Sequence, residues 1–293
     1  MKVKYFADTD TLYIEFRDTG IAETRVNATE LNPTGMPSTA DTARHMPCEQ
    51  PTVTSRALAD LSEGLAQWQL WALLGWQDIL QRYRRSLLGP FWLTFSMAIM
   101  VIALGILYAK LFRIDIHDYL PFLTLGFLAW GLISGVITEG CTALTAAEPF
   151  IKQMKLPFSL HVHRVVWRNL IIFAHNLVVY IGVAIWFGIW PGAVALLLVP
   201  GIALILLNGI WVGLLFGMVC ARFRDIPQII ASLLQVAFFL TPIIWRPELL
   251  GERAAFAHMN PFFHFVELIR APLLGSAPSQ LTWTVALITT LLG

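Results

Sequence analysis

Residues 192–221 read GAVALLLVPGIALILLNGIWVGLLFGMVCA, a run without a single Lys, Arg, Asp or Glu. A helix rises about 1.5 Å per residue, so roughly 20 apolar residues cross a hydrocarbon layer about 30 Å thick. This stretch is longer than that. In lipid the backbone must satisfy its own polar groups, which makes the run a membrane helix. Four more segments qualify on either side: Phe91–Phe112, whose one charge is Lys110 near its end, then Tyr119–Thr138, Leu170–Trp190 and Ile226–Trp245. A sixth apolar stretch starts near Leu281 and reaches Gly293 after 13 residues, short of a crossing. The expected fold is an all-α membrane protein, a six-helix transmembrane bundle with its sixth helix cut short.

Composition agrees. Of 293 residues 57% are hydrophobic and 13% charged, about half the charge of an ordinary soluble domain. The net charge of +1 provides no field for nucleic acid, and none is expected as a partner. Cys48, Cys141 and Cys220 match no metal or disulfide spacing and read as small buried residues. Residues 1–30 lack a basic start followed by an apolar core, so insertion is expected through the internal spans.

Ahead of the first span, Lys2–Phe6 and Leu12–Phe16 alternate like two short strands, a β-hairpin within residues 1–30. Residues 31–56, rich in Pro, Thr and Ser, read as a flexible linker. Within residues 57–90, Leu61, Leu65, Trp68, Ala72, Trp76, Ile79 and Tyr83 recur at helical spacing. That is an amphipathic helix lying in the membrane interface on lipid headgroups, or one packed on protein; Trp68, Trp71 and Trp76 suit the headgroup level. Residues 91–293 form the transmembrane domain. Nine basic residues, Arg82, Arg84, Arg85, Lys152, Lys155, Arg164, Arg168, Arg222 and Arg224, flank the spans on one side, against five, Lys110, Arg113, Arg246, Arg253 and Arg270, on the other. The first side is expected to be cytoplasmic, with the N-terminus inside. Residues 246–280 then lie outside, where apolar pieces too short to span suggest a re-entrant hairpin.

A phosphate-cradling loop needs Gly-Lys followed by Ser or Thr, and none of the five lysines follows a glycine. If ATP drives this protein, the nucleotide and its magnesium sit on a partner chain. No nucleophile elbow, zinc-protease or Cys-x-x-Cys pattern occurs, so neither catalytic residues nor metal ligands are expected. Arg82, Arg84 and Arg85 lie where the interfacial helix meets the first span, at phosphate depth. They can hold a lipid-linked diphosphate or serve as an orientation signal and headgroup anchor. Between the second and third spans, Glu148 to Pro157 is a short amphipathic piece bounded by prolines. It is an ordinary loop helix, or one whose Phe150, Ile151, Lys152, Met154, Lys155 and Leu156 dock into a cytoplasmic partner. Gly209, Gly213 and Gly217, like Gly131 and Gly135, allow close helix approach, chiefly inside one subunit. His175 and Asn176 within a span call for hydrogen bonds between helices, and His161 and His163 read as polar interface residues. Trp92, Phe95, Trp130, Phe238 and Phe239 are candidate channel-lining aromatics over which a sugar chain can slide, or packing and lipid-facing residues.

Several of these pieces, in order, resemble the type-2 permeases of ABC exporters, particularly those for O-antigen and related polysaccharides. The likeness runs from about Trp71 to Gly293. It rests on the 82–92 run RYRRSLLGPFW, the 150–157 run FIKQMKLP, the 164–169 run RVVWRN with His175-Asn176, the 222–227 run RFRDIP, the 241–245 run TPIIW, the 260–262 run NPF and the 270–275 run RAPLLG. The resemblance implies six membrane helices, a homodimer enclosing a channel in the cell inner membrane, and two copies of a separate ABC ATPase. It makes the Phe150–Leu156 element the coupling helix and favours the diphosphate-lipid reading of the arginines. Residues 1–30 resemble instead the start of a small soluble domain of unknown function. The leading expectation is export of a lipid-linked polysaccharide, with capsule polysaccharide, teichoic acid or a drug as other cargoes. A membrane glycan ligase or transferase is the alternative of another class, with Glu248, Glu252, Glu267 and Arg270 as its candidate groups.

Overall fold

The computed structural model describes residues 2–6, 11–15, 53–83 and 91–293. The residues joining the two expected strands, most of the linker, Cys48, Arg84 and Arg85 fall outside the described residues. The chain divides into two compact units, residues 1–50 and 51–293. In the first, strands β1 (Lys2–Phe6) and β2 (Thr11–Glu15) pair antiparallel, with Lys4 opposite Tyr13.

The second unit is helical among its described residues. Helix α1 (Val53–Ala66) and α2 (Trp68–Tyr83) replace the single interfacial helix expected from residue 57, and α1 takes in the last residues assigned to the linker. Both lie on a later helix, α6 (Phe158–Phe187). Gly64 sits against Ser159 and Gly75 against the Arg164 carbonyl, while Leu70 and Ile79 are buried between them. Trp71 therefore packs on protein, its ring 5.9 Å from those of both His163 and Trp167. Trp68 and Trp76 stay exposed.

Four helices are long and apolar enough to cross a membrane, counting described residues: Phe91–Phe112 (α3), Ile116–Gln153, Phe158–Phe187 and Gly192–Arg222. The second comprises α4 (Ile116–Ala146) and a short α5 (Glu148–Gln153). The fourth is a 3-10 segment, Gly192–Leu197, leading into α7 (Leu198–Arg222). Helix α4 is the spine. Its 31 residues extend about 46 Å, and it packs against α3, α6, α7 and α10 (Pro261–Leu273). The main core gathers Leu125, Leu128, Ala129, Leu132 and Val136 of α4 with Val162, Val166 and Phe173 of α6, Ile205 of α7 and Val266 of α10. Glycine makes the closest approach possible: a Cβ on Gly140 would meet the Gly213 Cα at 3.0 Å, and one on Gly209 the Val136 Cγ1 at 2.8 Å. Gly209, Gly213 and Gly217 thus pack inside the subunit, whereas Gly131 is exposed and meets nothing within 4 Å.

Expected span limits are corrected in three helices. The second span runs Ile116–Ala146 in place of the expected Tyr119–Thr138. The third begins at Phe158, twelve residues earlier than the apolar run suggests, and ends at Gly188, whose φ of 68° caps the helix. The fifth, α8 (Ile226–Leu240), ends five residues before Trp245. Thr241 precedes Pro242 and is extended (φ −86°, ψ 136°), because a residue before proline is pushed out of the helical region. At 15 residues, about 22 Å, α8 is too short to meet the crossing length, as is α11 (Gln280–Leu292). Between α8 and α10 the chain forms a 3-10 stretch, Pro247–Ala254, and helix α9 (Ala255–Met259). Asn260 then caps α10 by accepting from the Phe262 amide (2.9 Å) and donates to Thr241 Oγ1 (2.9 Å), tying the end of α8 to the start of α10. The His175 imidazole stays within its own helix, Nδ1 lying 2.8 Å from the Ile171 carbonyl, and the bond across helices is made by its backbone, whose carbonyl accepts from Thr94 Oγ1 of α3 (3.3 Å). His161 and His163 are buried, not at an interface with water.

Candidate functional site

Helix α5 exists because two prolines frame it. Pro149 occupies its first turn, where a missing N–H is harmless, and Pro157 lies in the extended segment that separates it from α6. The Phe150 and Ile151 amides donate to the Ala147 carbonyl (2.9 and 3.0 Å), so α5 starts without a spacer from the end of α4. Phe150, Lys152 and Lys155 are exposed; Ile151, Met154 and Leu156 are half-buried. Lys152 donates to Glu148 across one turn (2.5 Å). That hydrogen bond, more than the lysine's charge, holds the Glu148 carboxyl below its ordinary range. Phe158 and Phe223 are exposed on neighbouring segments. The product is a stubby apolar projection edged with lysines.

The chain beyond α5 is anchored. Pro157, the residue at the N-cap of α6, has no side chain that can cap, so the open amides of that helix are bound from elsewhere. Asp60 of α1 accepts from the Phe158 amide (2.8 Å) and the Ser159 amide (2.9 Å), and Ser159 Oγ donates to the Asp60 carbonyl (2.7 Å). Helix α1 thereby caps the helix that the projection leads into.

One turn deeper lies a charge network. Asp78 of α2 accepts from Arg164 Nε (2.8 Å), from the Arg164 Nη2 and from Arg168 Nη1 (2.7 Å). Glu139 of α4 accepts from Arg168 Nη2 (2.7 Å) and Nε (3.1 Å), from Asn169 Nδ2 (2.7 Å) and from Arg82 Nη2 (3.4 Å). Gly135 leaves the space that Asn169 occupies. Three arginines and two carboxylates lock α2, α4 and α6 together beside a small cavity of about 100 Å³ that Phe150, His161 and Arg164 help to line. In the sequence Arg164 and Arg168 read as flanking charges, and Asp78 and Glu139 carry no assigned role. The available signal is Glu139 itself, an acidic residue inside the extension of an apolar helix.

Among the lipid-facing candidates, Arg82 is half exposed and engaged with Glu139. The candidate aromatics fall into two groups. Trp130 is buried, its ring 5.8 Å from Phe238 and 5.6 Å from Phe262. Trp92 and Phe95 are exposed on α3 and lie 6.0 Å apart, and Phe239 is exposed on α8. Phe95 also lines an apolar groove of about 800 Å³ between α3 and α6.

Comparison with known proteins agrees with this architecture. Over 180 residues the chain is 24% identical to the O-antigen export system permease protein RfbA of Myxococcus xanthus, covering 61% of this chain and 69% of that protein. A protein of the same name from Klebsiella pneumoniae is 23% identical, covering 60% of this chain and 69% of its own length. Residues 69–274 match the family model described as ABC-2 type transporter. The chain belongs to the ABC-2 type transporter family, as a multi-pass membrane protein.

Proposed function

We propose that this chain is the channel-forming permease of an exporter that moves a lipid-linked polysaccharide of O-antigen type across the cell inner membrane. The observation that carries the coupling half of this reading is α5, an exposed six-residue helix fused to α4 and tied through Asp60 to α1. The polysaccharide half rests on the relatives named as O-antigen export permeases. In this reading ATP and magnesium reside on two copies of an ABC ATPase, and the permease contributes no catalytic group. The N-terminus and α5 are cytoplasmic. Residues 1–30 form a separate small unit joined by the linker.

Two copies enclose the channel. On α8, Ile229, Leu233, Val236 and Leu240 are exposed at spacings of four, three and four, an apolar stripe left uncovered by the described residues of the subunit. Helix α3 buries only Val101, Gly105 and Ala109. These two helices form the seam, so Trp92, Phe95 and Phe239 come to face the path, while Trp130 and Phe238 support it from behind. When the ATPases close on nucleotide, the push on Phe150 and Met154 passes into α4 directly and into α6 at Pro157. The Asp78–Arg164–Arg168–Glu139 network carries α2 with them, so the interfacial helix moves as one body with the bundle. Arg82, with Arg84 and Arg85, meets the lipid diphosphate at the entrance, Glu139 releasing Arg82 to it. Trp68 and Trp76 rest among the lipid headgroups.

The test is co-purification in detergent with the cognate ATPase, comparing the wild type with Phe150→Asp/Met154→Asp. A complex that survives in the wild type and is lost in a folded double variant is expected. A well-folded wild-type chain that binds no ABC ATPase refutes the reading.

A further inference from the structure

At the end of α4 opposite α5 lies a second constellation of charge. Arg270 of α10 is 1% exposed, and its guanidinium carbon lies 3.9 Å from the centre of the Phe122 ring. Arg246 approaches the same ring at 5.1 Å. Two cations thus share one aromatic wall. Glu267 accepts from Arg270 Nη1 (3.0 Å), and the Asp118 carbonyl accepts from Arg246 Nη2 (2.5 Å). That leaves Arg270 Nε, Arg270 Nη2 and Arg246 Nε buried with no acceptor among the described residues. Both arginines line a cavity of about 330 Å³, with Phe122, Glu267 and the exposed Glu248 among its other walls.

A ring face offers a cation some compensation, but it accepts from no N–H, and unpaired buried donors are costly. Among the described residues, one carboxylate bonds to the pair of guanidiniums, through Arg270. Glu248 and Glu267 both line the cavity and balance the two arginines in formal charge, so what is missing is acceptor oxygens placed for planar, forked donors. Phosphate-type oxyanions meet that requirement, and guanidinium pairs with them in bidentate fashion. Gly126 belongs to the same arrangement, since a Cβ there would stand 2.6 Å from Arg270 Nη2.

We propose that this pocket, at the outer end of the bundle, is a diphosphate-binding site. The assignment of its anion to the lipid carrier, arriving with the cargo as it leaves, rests on the permease reading; the site itself rests on the two arginines. Export would then pass a diphosphate from the arginines at the inner entrance to a second pair at the exit.

The test uses the full chain assembled with its ATPase in nanodiscs of zwitterionic lipid, in an Arg82→Gln/Arg84→Gln/Arg85→Gln background that silences the entrance. Inorganic pyrophosphate and farnesyl diphosphate are titrated by calorimetry. Both are expected to bind, the prenyl form more tightly if the carrier lipid is the source and equally if the head group alone is read. Adding Arg246→Gln, whose side chain is only partly buried, is expected to weaken binding about tenfold or more, with the melting temperature unchanged. Arg270→Lys keeps the charge, loses the fork and is expected to weaken binding as well. Absence of binding in the background, or affinities unmoved by both substitutions, overturns the proposal. If the wild type instead fails to hold its ATPase, the permease reading falls while the titration still decides the site.

Discussion

Replacing Asp78 by Asn removes the one carboxylate that Arg164 bonds to among the described residues, whereas Arg168 keeps Glu139. The side chains of Asp78, Arg164 and Arg168 are 14%, 21% and 16% exposed, so water reaches them poorly. Breaking a buried pair from one side costs about 3–5 kcal/mol, and this partial exposure puts the present case at the lower end, about 2–3 kcal/mol. Asn preserves one acceptor oxygen and the shape, so the loss reports charge. Glu139→Gln is expected to cost less, because each of its arginine partners has another recourse: Arg168 has Asp78 and Arg82 has solvent. The assay is reversible unfolding in mixed detergent micelles, run as a double-mutant cycle of Asp78→Asn with Arg164→Gln. A coupling energy of about 1–3 kcal/mol is expected. If the cycle closes near zero, or Asp78→Asn is neutral, the network does not fasten α2 to the bundle, and the transmission route through it is wrong.

Asp60→Ala deletes the cap of α6 and is expected to cost about 1–2 kcal/mol, with Asp60→Asn recovering much of it, in the same unfolding assay. On the proposed coupling role of α5, ATPase stimulation should fall in parallel, since the cap lies directly after that helix. Gly140→Ala places a methyl 3.0 Å from the Gly213 backbone and should destabilise by about 1–3 kcal/mol. Gly131→Ala meets nothing within 4 Å and should be neutral or stabilising by up to about 1 kcal/mol, by the same measurement. The lowered Glu148 carboxyl sets a pH expectation. Because its folded value lies below the unfolded one, its contribution to α5 is present above about pH 4.5 and is lost only as pH falls through the lowered value. Glu148 should therefore add no pH dependence to ATPase binding between about pH 8 and about pH 6; a slope there that Glu148→Gln abolishes would contradict this.

Long apolar runs are easy to read because lipid solvation needs nothing but composition, and the cores of four spans stand where hydropathy puts them. Hydropathy misleads where another physical term competes with it. Residues 241–245 are as apolar as the helix before them, yet Pro242 takes Thr241 out of the helix, so α8 stops at Leu240. The start of α6 is hidden for the opposite reason. Arg164 and Arg168 interrupt the apolar run without interrupting the helix, because Asp78 and Glu139 neutralise them from other parts of the chain. No spacing rule connects position 78 to 164 or 139 to 168. Trp71 likewise has the composition of a headgroup anchor and the location of a packing residue, a choice made by Trp167 and His163. By contrast the start of α5 is readable, since Pro149 and one amphipathic turn are local information, but the helix stops at Gln153, three residues before the expected Leu156, because Met154 is already extended (φ −134°, ψ 138°).

The features hidden from sequence reading are therefore the ones that connect distant segments, and they share an element. Helix α4 carries Phe122 at one end and Glu139 near the other, and passes into α5 without a loop. From Phe122, just past the proline at 121, α4 runs on for about 37 Å to Ala146, packed along its length by α6 and α7, and resists bending under a push of an ångström or two at Phe150. The displacement must emerge at Phe122, between Arg246 and Arg270. Changing the separation of those guanidiniums across one ring changes how well they grip an oxyanion between them. Nucleotide binding by the partner ATPase should then alter diphosphate affinity at the far pocket, and by linkage diphosphate should alter nucleotide affinity by the same factor. Measuring farnesyl diphosphate affinity with and without a non-hydrolysable ATP analogue tests this: a shift of about fivefold or more that Asp60→Ala diminishes is expected. Equal affinities in the two states would mean that α4 does not transmit the stroke.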